Sequence, residues 1–250
     1  MKAIILAAGH ATRLYPLTEN FPKPLLPISC DKPIINYILE RIEELEAISV
    51  IYVITTKKFY NLFLQWKEQY KNIFKKNIEI VHNNTILEEE KLGAIGDIYY
   101  TIKEKSIEED TLIIAGDNFF DFSLKKVYNF FYENKENKKN IVCTMNIDEI
   151  EKLKRMGVAT LDDENRITCL TEKPYKPESN TAVFAIYFYT KSTVSLFSKY
   201  LDEGNLKDAP GYFLSWLCKR EDVFAYNISG NCYDIGTLEG YEEVKSKYKK

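Results

Sequence analysis

The chain has 250 residues, of which 45% are hydrophobic and 28% charged, and its formal net charge is −3. This length can bury the core of one large α/β domain or two small ones, and the composition is ordinary for a globular protein. A slightly acidic chain is not expected to bind nucleic acid or an anionic membrane surface as its main partner. The first apolar run is too short to cross a bilayer or to form a secretory signal, so we expect a cytoplasmic protein.

The cysteines and histidines exclude two further classes. The five cysteines are Cys30, Cys143, Cys169, Cys218 and Cys232. They show no CxxC spacing, which favours a reducing compartment over a disulfide framework. With only His10 and His82, a histidine-rich metal site is excluded.

The first 27 residues carry the strongest local pattern. Residues 3–6 are an unbroken apolar run that predicts a buried strand, and the small residues Ala7, Ala8 and Gly9 follow it. Small residues at a strand end let a ligand or another backbone come close.

Prolines then predict a long extended loop in place of a helix. They are Pro16, Pro22, Pro24 and Pro27. The loop carries two cations, Arg13 and Lys23, so backbone donors and positive charge would be held ready for a polyphosphate. The loop matches neither a Rossmann fingerprint nor a Walker A motif, because the third glycine of one and the Gly-Lys-Ser/Thr of the other are missing.

Strands and helices alternate after this loop. Pro33 is expected to open a helix, and residues 50–54 read as a second buried strand. Aromatic residues at helical spacing over 59–66 are interpreted as core, and residues 78–81 as a third strand. This order predicts a parallel sheet, whose ligands bind outside the carboxyl ends of the strands. Asn83 or Asn84 could read a base edge there, although a turn explains an Asn pair equally well.

A fourth buried strand, residues 111–115, leads into Gly116-Asp117-Asn118. A carboxylate at the end of a central parallel strand can hold a hard cation such as Mg²⁺, while an ordinary turn aspartate is the simpler alternative. Asp97 and Asp121 are interpreted as helix caps.

The second half of the chain reads as a mixed set of elements. We expect a helix at 125–140 that ends in the polar run 134–140, interpreted as a surface turn. Further helices are expected at 150–153, 191–203 and up to 219, strands at 141–145, 180–189 and 223–227, and an acidic hairpin turn at 162–165. Thr237 is expected to cap a last helix.

The motifs resemble those of the sugar-1-phosphate nucleotidyltransferases, the NDP-sugar pyrophosphorylases, of the glucose-1-phosphate thymidylyltransferase and uridylyltransferase type. The family pattern G-x-G-T-R-L followed by P-K-P is matched by Gly9, Ala11, Thr12, Arg13, Leu14, Pro22, Lys23 and Pro24. Ala11 stands in place of the second glycine, and a positive φ there would strain it.

Three later segments extend the resemblance over nearly the whole chain. Leu92 to Gly96 is similar to the family's L-G-T-A-G, and Gly157 followed by Glu172-Lys173-Pro174 is similar to its sugar-phosphate segment. Residues 180–187 resemble N-Y-A-V-x-G-x-Y, with Ala185 at a usual glycine, and residues 233–237 resemble W/Y-x-D-x-G-T.

The resemblance implies a set of roles. Arg13 and Lys23 would be catalytic, Lys173 would hold the incoming phosphate, and Asp117 and Asp234 would bind Mg²⁺. The implied nucleotide-binding residues are Leu6, Ala7, Ala8, Gly9, Asn83, Gly93 and Asp117. The implied sugar-phosphate-binding residues are Gly157, Glu172, Lys173 and Val183.

We therefore expect one α/β nucleotidyltransferase domain over residues 1–250, with a mixed, mostly parallel, Rossmann-like central sheet flanked by helices. Residues 1–139 would mainly bind the nucleotide, and residues 140–230 would form a smaller antiparallel sugar-binding portion. The implied substrates are an NTP (UTP, dTTP or CTP) and a sugar 1-phosphate. The alternatives are a cytidylyltransferase acting on phosphocholine, an inactive regulatory homologue, and a metal-dependent glycosyltransferase, which the missing D-x-D disfavours. The sequence names neither base nor sugar and leaves the oligomeric state, including a homo-oligomer, open.

Overall fold

The computed structural model of the chain describes residues 1–133 and 139–248, with Asp234 described by its backbone alone. The chain divides into two compact units. Unit 1 comprises Met1–Leu92, Ile114–Leu124 and Gly230–Lys250, and unit 2 comprises Gly93–Ile113 and Lys125–Ser229. Within the described ranges, every helix is too short or too polar to serve as a membrane span.

Strands and helices alternate along both units, and the order follows the prediction closely. The strands are β1 (Lys2–Leu6), β2 (Pro27–Ser29), β3 (Lys32–Pro33), β4 (Val50–Thr55), β5 (Asn77–His82), β6 (Thr111–Ala115), β7 (Asn118–Phe120), β8 (Asn140–Asn146), β9 (Gly157–Leu161), β10 (Ile167–Glu172), β11 (Thr181–Tyr189), β12 (Val223–Asn227) and β13 (Cys232–Asp234). The helices are α1 (Ile34–Glu43), α2 (Tyr60–Tyr70), α3 (Ala94–Glu104), α4 (Leu124–Tyr132), α5 (Ile150–Leu153), α6 (Lys191–Asp202), α7 (Pro210–Leu217) and α8 (Leu238–Lys247).

Unit 1 contains the predicted parallel strands. β1 pairs with β4, and β4 pairs with β5, both in parallel. Ile4, Ile5, Ile51 and Val53 are fully buried. Strands buried on both faces read as continuous apolar runs, which is why the sequence pattern located them. The carboxyl ends of all three strands therefore face the same edge.

The helices of unit 1 bury the aromatic residues that the spacing assigned to the core. Phe59, Phe63 and Trp66 are at most 4% exposed. The Trp66 indole donates a hydrogen bond to the Asn36 Oδ1 atom of α1 (2.8 Å), so its polar atom is satisfied inside the core. The prediction that these rings are core residues is confirmed.

Unit 2 is built largely from antiparallel pairs. β11 pairs antiparallel with β8 and β9, β10 pairs antiparallel with β9, and β12 runs parallel to β8. The predicted hairpin between Gly157 and Glu172 is present, with the side chain of Asp162 accepting hydrogen bonds from the amides of its own turn.

Two predicted helix boundaries are wrong. Asp97 does not cap a helix, because α3 already begins at Ala94, and the Ile95 amide bonds to the Lys207 carbonyl (2.9 Å). The helix predicted over 125–140 ends at Tyr132. Part of the polar run predicted as a surface turn, residues 134–138, lies outside the described residues.

The end of β6 lies against the end of β1 because residue 116 is glycine. The Gly116 amide donates a hydrogen bond to the Leu6 carbonyl (2.8 Å). A Cβ atom on Gly116 would lie 2.7 Å from that carbonyl oxygen and 3.2 Å from the Pro24 ring. Backbone and ring atoms cannot move aside cheaply, so this approach, which carries Asp117 to the edge of the sheet, needs glycine.

We predict that Gly116→Ala lowers the free energy of unfolding by about 2–3 kcal/mol, because the added methyl group meets backbone. The matched control is Gly9→Ala, since a Cβ at Gly9 meets nothing within 4 Å. Urea unfolding of both variants checks this. Equal stability of the two would show that the approach of β6 to β1 does not depend on glycine.

Candidate active site

The end of β1 leaves open space beside Gly9. The Ala7 amide donates a hydrogen bond to the Ile54 carbonyl (2.8 Å), and Ala7 and Ala8 are buried. Gly9 is exposed, and a Cβ atom added to it would meet no atom within 4 Å. Backbone at the carboxyl end of a parallel strand thus borders free space, the place where ligands bind in such sheets.

Ala11, which stands at the position of the second glycine in the family pattern, adopts a backbone conformation that favours glycine. Its φ and ψ are 50° and 42°, the left-handed conformation. Its carbonyl accepts hydrogen bonds from the Leu14 amide (2.9 Å) and the Thr18 hydroxyl (2.8 Å). The left-handed region costs a residue with a Cβ atom about 1–2 kcal/mol. The turn therefore holds an alanine in a conformation that glycine would adopt without strain.

Arg13 presents an unpaired cation. It lies in a single 3₁₀ turn, Thr12–Leu14, in which Leu14 is buried and Arg13 is exposed. Among residues 1–133 and 139–248, its guanidinium makes no ion pair and no hydrogen bond. The buried Leu14 side chain fixes the turn, and the Arg13 guanidinium remains available to bind an anion with two parallel hydrogen bonds.

Lys23 and Asp117 lie in direct contact. The Lys23 Nζ atom is 2.5 Å from Asp117 Oδ2, with side-chain exposures of 11% and 27%. Lys23 begins a second 3₁₀ turn, Lys23–Leu25, whose Pro24 is buried. The structure thus brings together a predicted cation and a predicted carboxylate 94 residues apart in the chain.

The backbone of Asp234 lies beside the backbone that follows Asp117. β13 pairs antiparallel with β7, with Asp234 opposite Asn118, and the Ile235 amide bonds to the Asp117 carbonyl (3.3 Å). Across the described parts of the chain, no three His, Cys, Asp or Glu side chains cluster as metal ligands. Mg²⁺ commonly takes only one or two carboxylates, with phosphate oxygens completing its shell.

Asp121 holds the turn that leads into β13 and does not cap a helix, so its predicted role is wrong. Its carboxylate accepts hydrogen bonds from the Asn231 amide (2.7 Å), the Asn231 side chain (2.7 Å) and the Tyr248 hydroxyl (3.0 Å). Burial acts to raise the Asp121 pKa, but these donors outweigh it and leave the pKa below its ordinary value. No local pattern could reveal this contact, because Asn231 is 110 residues away.

Beneath these groups lies one apolar cluster, which we call the anchor cluster. Its buried members are Leu14, Leu26, Ile28, Ile34, Phe119, Ile235, Tyr241 and Val244. Leu14 is the neighbour of Arg13, and Ile235 is the neighbour of Asp234. The Tyr241 hydroxyl also donates to the Pro27 carbonyl (2.6 Å). The cluster therefore ties the first loop, β7, the segment after β13 and α8 together.

Asn83 closes a turn at the end of β5. Its Oδ1 atom accepts hydrogen bonds from the Thr85 amide (3.1 Å) and hydroxyl (2.7 Å). Asn84 has φ 63°, as turn residues often do. A contact from the Asn83 side chain to a nucleotide base stays a prediction.

His10 is a buried group that the sequence reasoning did not assign. It is 8% exposed, its Nε2 atom has no partner within the described residues, and its ring lies 6.4 Å from that of Phe59. Burial lowers the His10 pKa below its ordinary value. The imidazole is therefore neutral at pH 7.

In unit 2, three predicted acceptor residues form one row across neighbouring strands. Glu172 of β10 pairs with Gly157 of β9, which pairs with Val183 of β11. A Cβ on Gly157 would lie 3.2 Å from Glu172 Oε2 and 3.5 Å from the Val183 Cβ atom. The carboxylate of Glu172 thus lies over the bare backbone of Gly157.

The Glu172 carboxylate is half-buried and has no hydrogen-bond partner in the described part of the chain. Burial raises its pKa above the ordinary value, and the nearby Lys173 ammonium offsets part of that rise. A carboxylate without donors of its own is suited to accept them from a ligand.

Lys173 leaves the strand in the left-handed conformation, with φ 50°. Its side chain is exposed, and its amide bonds to the Met156 carbonyl (3.0 Å). The conformation turns the chain after Glu172, so the ammonium does not follow the alternation of an extended strand.

Position 93 requires glycine because of its backbone conformation and because there is no room for a side chain. Its φ is +78°, and a Cβ would lie 2.5 Å from the Lys207 carbonyl oxygen. Within unit 2 its nearest described neighbours are protein backbone, and its assignment to the nucleotide stays a prediction.

The Nucleotidyl transferase family model matches residues 2–250. The chain belongs to this family. It is 33% identical over 240 residues to the bifunctional protein GlmU of Methanocaldococcus jannaschii, a match that covers 94% of this chain and 51% of that protein. The UTP–glucose-1-phosphate uridylyltransferase AglF of Haloferax volcanii is 30% identical over 191 residues, covering 76% and 72%.

A crystal structure of UDP-glucose pyrophosphorylase complexed with UDP-glucose superposes with a TM-score of 0.79 at 25% identity, covering 99% of this chain and 97% of that one. The predicted family and the predicted mixed α/β fold are confirmed. The chain spans about half the length of the first curated relatives it matches.

We predict that Lys173→Gly is more stable than Lys173→Ala by about 1 kcal/mol, because only glycine adopts a φ of 50° without strain. Lys176, an exposed residue outside the positive-φ set, is the control, and there glycine should be the less stable variant. Urea unfolding of the four variants measures both differences. The same order at both positions would contradict the argument.

Proposed function

We propose that the chain transfers a nucleotidyl group from an NTP to a sugar 1-phosphate, giving an NDP-sugar and pyrophosphate. A phosphate oxygen of the sugar phosphate attacks the α-phosphorus in line, and pyrophosphate leaves, so no covalent intermediate with the protein forms. One observation carries the proposal: the Lys23–Asp117 contact lies at the sheet edge of unit 1, and Lys23 belongs to the same loop as the open backbone of Gly9 and as Arg13, which has no partner among the described residues. Such a reaction depends on positioning and charge stabilisation.

The nucleotide half of the proposal uses unit 1. Arg13 meets the departing pyrophosphate, and Lys23 neutralises the nucleotide phosphates. Lys23 is paired with Asp117, so its ammonium is kept in place by a short contact. The backbone of residues 6–9, together with Asn83, completes the proposed nucleotide site of unit 1.

Asp117 and Asp234 would hold a Mg²⁺ ion. The donor chemistry fits, since a carboxylate that is 27% exposed at a strand end leaves an oxygen for a hard cation, and the Asp234 backbone is its neighbour across β7 and β13. When bound, the ion would neutralise negative charge on the phosphates of the nucleotide.

The acceptor half uses the row in unit 2. Lys173 supplies a compact exposed cation for the sugar phosphate, and Glu172 supplies an acceptor for sugar hydroxyls. Gly157 and Val183 line the same row. A carboxylate without partners also attracts a cationic acceptor such as phosphocholine, which is why that acceptor belongs in the test.

The names of the relatives indicate which base and which sugar to test first. UTP with glucose 1-phosphate is the first pair to test, because AglF is named a UTP–glucose-1-phosphate uridylyltransferase and the aligned crystal structure is that of a UDP-glucose pyrophosphorylase. dTTP and CTP follow. A cytoplasmic location completes the proposal.

The test is a matrix of UTP, dTTP, CTP, ATP and GTP against several sugar 1-phosphates and phosphocholine, read by pyrophosphate release. We expect turnover only when an NTP and a sugar 1-phosphate are both present, its loss with excess chelator, and its recovery on adding Mg²⁺. If phosphocholine is the one acceptor that supports turnover with an NTP, the acceptor is cationic and is not a sugar 1-phosphate. If no pair of NTP and acceptor releases pyrophosphate, the proposal is overturned.

We predict that Arg13→Ala lowers kcat far more than it weakens NTP binding. Charge grows on the leaving pyrophosphate as the bond breaks, so a fixed cation favours the transition state over the ground state. Loss of one such donor costs on the order of 3–4 kcal/mol, or about 10²–10³ in rate. Arg13→Lys should restore only part of the lost rate, because an ammonium is a point charge and cannot reproduce the two parallel hydrogen bonds of a guanidinium.

Steady-state kcat and the NTP dissociation constant of both variants measure this. Unfolding midpoints equal to that of the parent protein serve as the control, since the Arg13 guanidinium makes no ion pair or hydrogen bond within the described residues. A loss confined to NTP affinity would make Arg13 a binding residue with no catalytic role.

A further inference from the structure

Gly211 lies in the first turn of α7, opposite the carboxylate of Glu172. α7 packs on β10, and the Ser215 hydroxyl of the helix donates a hydrogen bond to the Leu170 carbonyl of the strand (2.9 Å). Glu172 is the last residue of that strand. The helix start and the strand end therefore meet at this carboxylate.

The space that a side chain at position 211 would fill is already occupied. A Cβ atom on Gly211 would lie 1.8 Å from Glu172 Oε2 and 2.9 Å from Glu172 Cδ. The same oxygen lies 3.2 Å from the place of a Cβ on Gly157. Two glycines, one on the helix and one on the sheet, thus border one carboxylate oxygen.

Backbone conformation does not explain the glycine at position 211. Its φ is not in the left-handed range, and it lies inside a helix, where glycine costs about 1 kcal/mol relative to alanine. The reason that remains is space for the Glu172 carboxylate.

We propose that Gly211 is a positioning residue of the acceptor site. Because it has no side chain, it leaves room for the Glu172 carboxylate at the position from which that carboxylate accepts hydrogen bonds from the hydroxyls of the sugar 1-phosphate. The inference rests on the proposed function, in which Glu172 contacts the acceptor. It adds which residue leaves room for that carboxylate, which has no hydrogen-bond donor of its own in the described residues.

The first test is Gly211→Ala. The atoms that the methyl group meets are the far end of a flexible side chain, so the carboxylate should move and the fold should remain. We expect the KM for the sugar 1-phosphate to rise about 10- to 100-fold, as for a lost hydrogen bond to a charged group, with the KM for the NTP within about twofold of the parent value.

The control is Gly240→Ala, the same change in the first turn of another helix, α8. There a Cβ meets only the Thr237 hydroxyl oxygen at 3.4 Å, an ordinary contact. We expect no change in either KM. An equal rise in the acceptor KM for both variants would show that the effect is not specific to Glu172.

Rescue separates positioning from a general structural role. Glu172→Asp shortens the side chain by one methylene, which withdraws the carboxylate from position 211. In the Gly211→Ala background it should lower the acceptor KM, whereas alone it should raise it. Additive losses in the double variant would overturn the proposal. If Gly211→Ala does not fold, Gly157→Ala, at the other glycine that borders the same oxygen, must raise the acceptor KM, and an unchanged value overturns it.

Failure of the two proposals can be told apart. If Glu172→Ala leaves the acceptor KM unchanged, or the parent protein turns over no sugar 1-phosphate, the proposed acceptor role of Glu172 fails and the inference fails with it. If Glu172→Ala raises the acceptor KM and Gly211→Ala does not, only the positioning role of Gly211 is overturned.

Discussion

The anchor cluster is the constraint on which the placement of the proposed nucleotide site in unit 1 depends. Its apolar residues are close chain neighbours of the charged ones: Leu14 follows Arg13, Phe119 lies two residues after Asp117, and Ile235 follows Asp234. Truncating one such buried side chain costs about 2–5 kcal/mol, whereas an exposed ion pair contributes at most about 1 kcal/mol. Burial of these apolar side chains therefore fixes where the loop and the strand ends lie. It thereby places the neighbouring charged residues at the edge of the sheet.

Much of unit 1 could be predicted because its signals are local. Residues 3–6 and 50–54 are apolar runs of strand length, and the prolines after Gly9 exclude a helix. The rule that ligands bind at carboxyl strand ends then selects Gly9, Arg13 and Asp117 without any coordinates. The structure adds the contact between Lys23 and Asp117 and the left-handed conformation of Ala11.

What the sequence could not reveal depends on residues far apart in the chain. The start of α3 is set by carbonyl groups more than a hundred residues away, so Asp97 was misread as a cap. Asp121 binds Asn231 and Tyr248 for the same reason, although its spacing suggested a helix start. The position of Glu172 beside Gly157 and Gly211 needs a strand register and a helix packing that no window of sequence contains.

Unit 1 is discontinuous, and this has a consequence for how the protein is made. Its segment Met1–Leu92 is synthesised before its segment Gly230–Lys250, which contains β13 and α8, and the Tyr241–Pro27 hydrogen bond joins residues 214 apart. Contacts of such separation form slowly and cannot form before both partners are synthesised. In a nascent chain, the loop that carries Arg13 therefore lacks Ile235, Tyr241 and Val244, which cluster with its Leu14, until the residues of unit 2 have been made. The loop is thus held in place only after unit 2 has been synthesised.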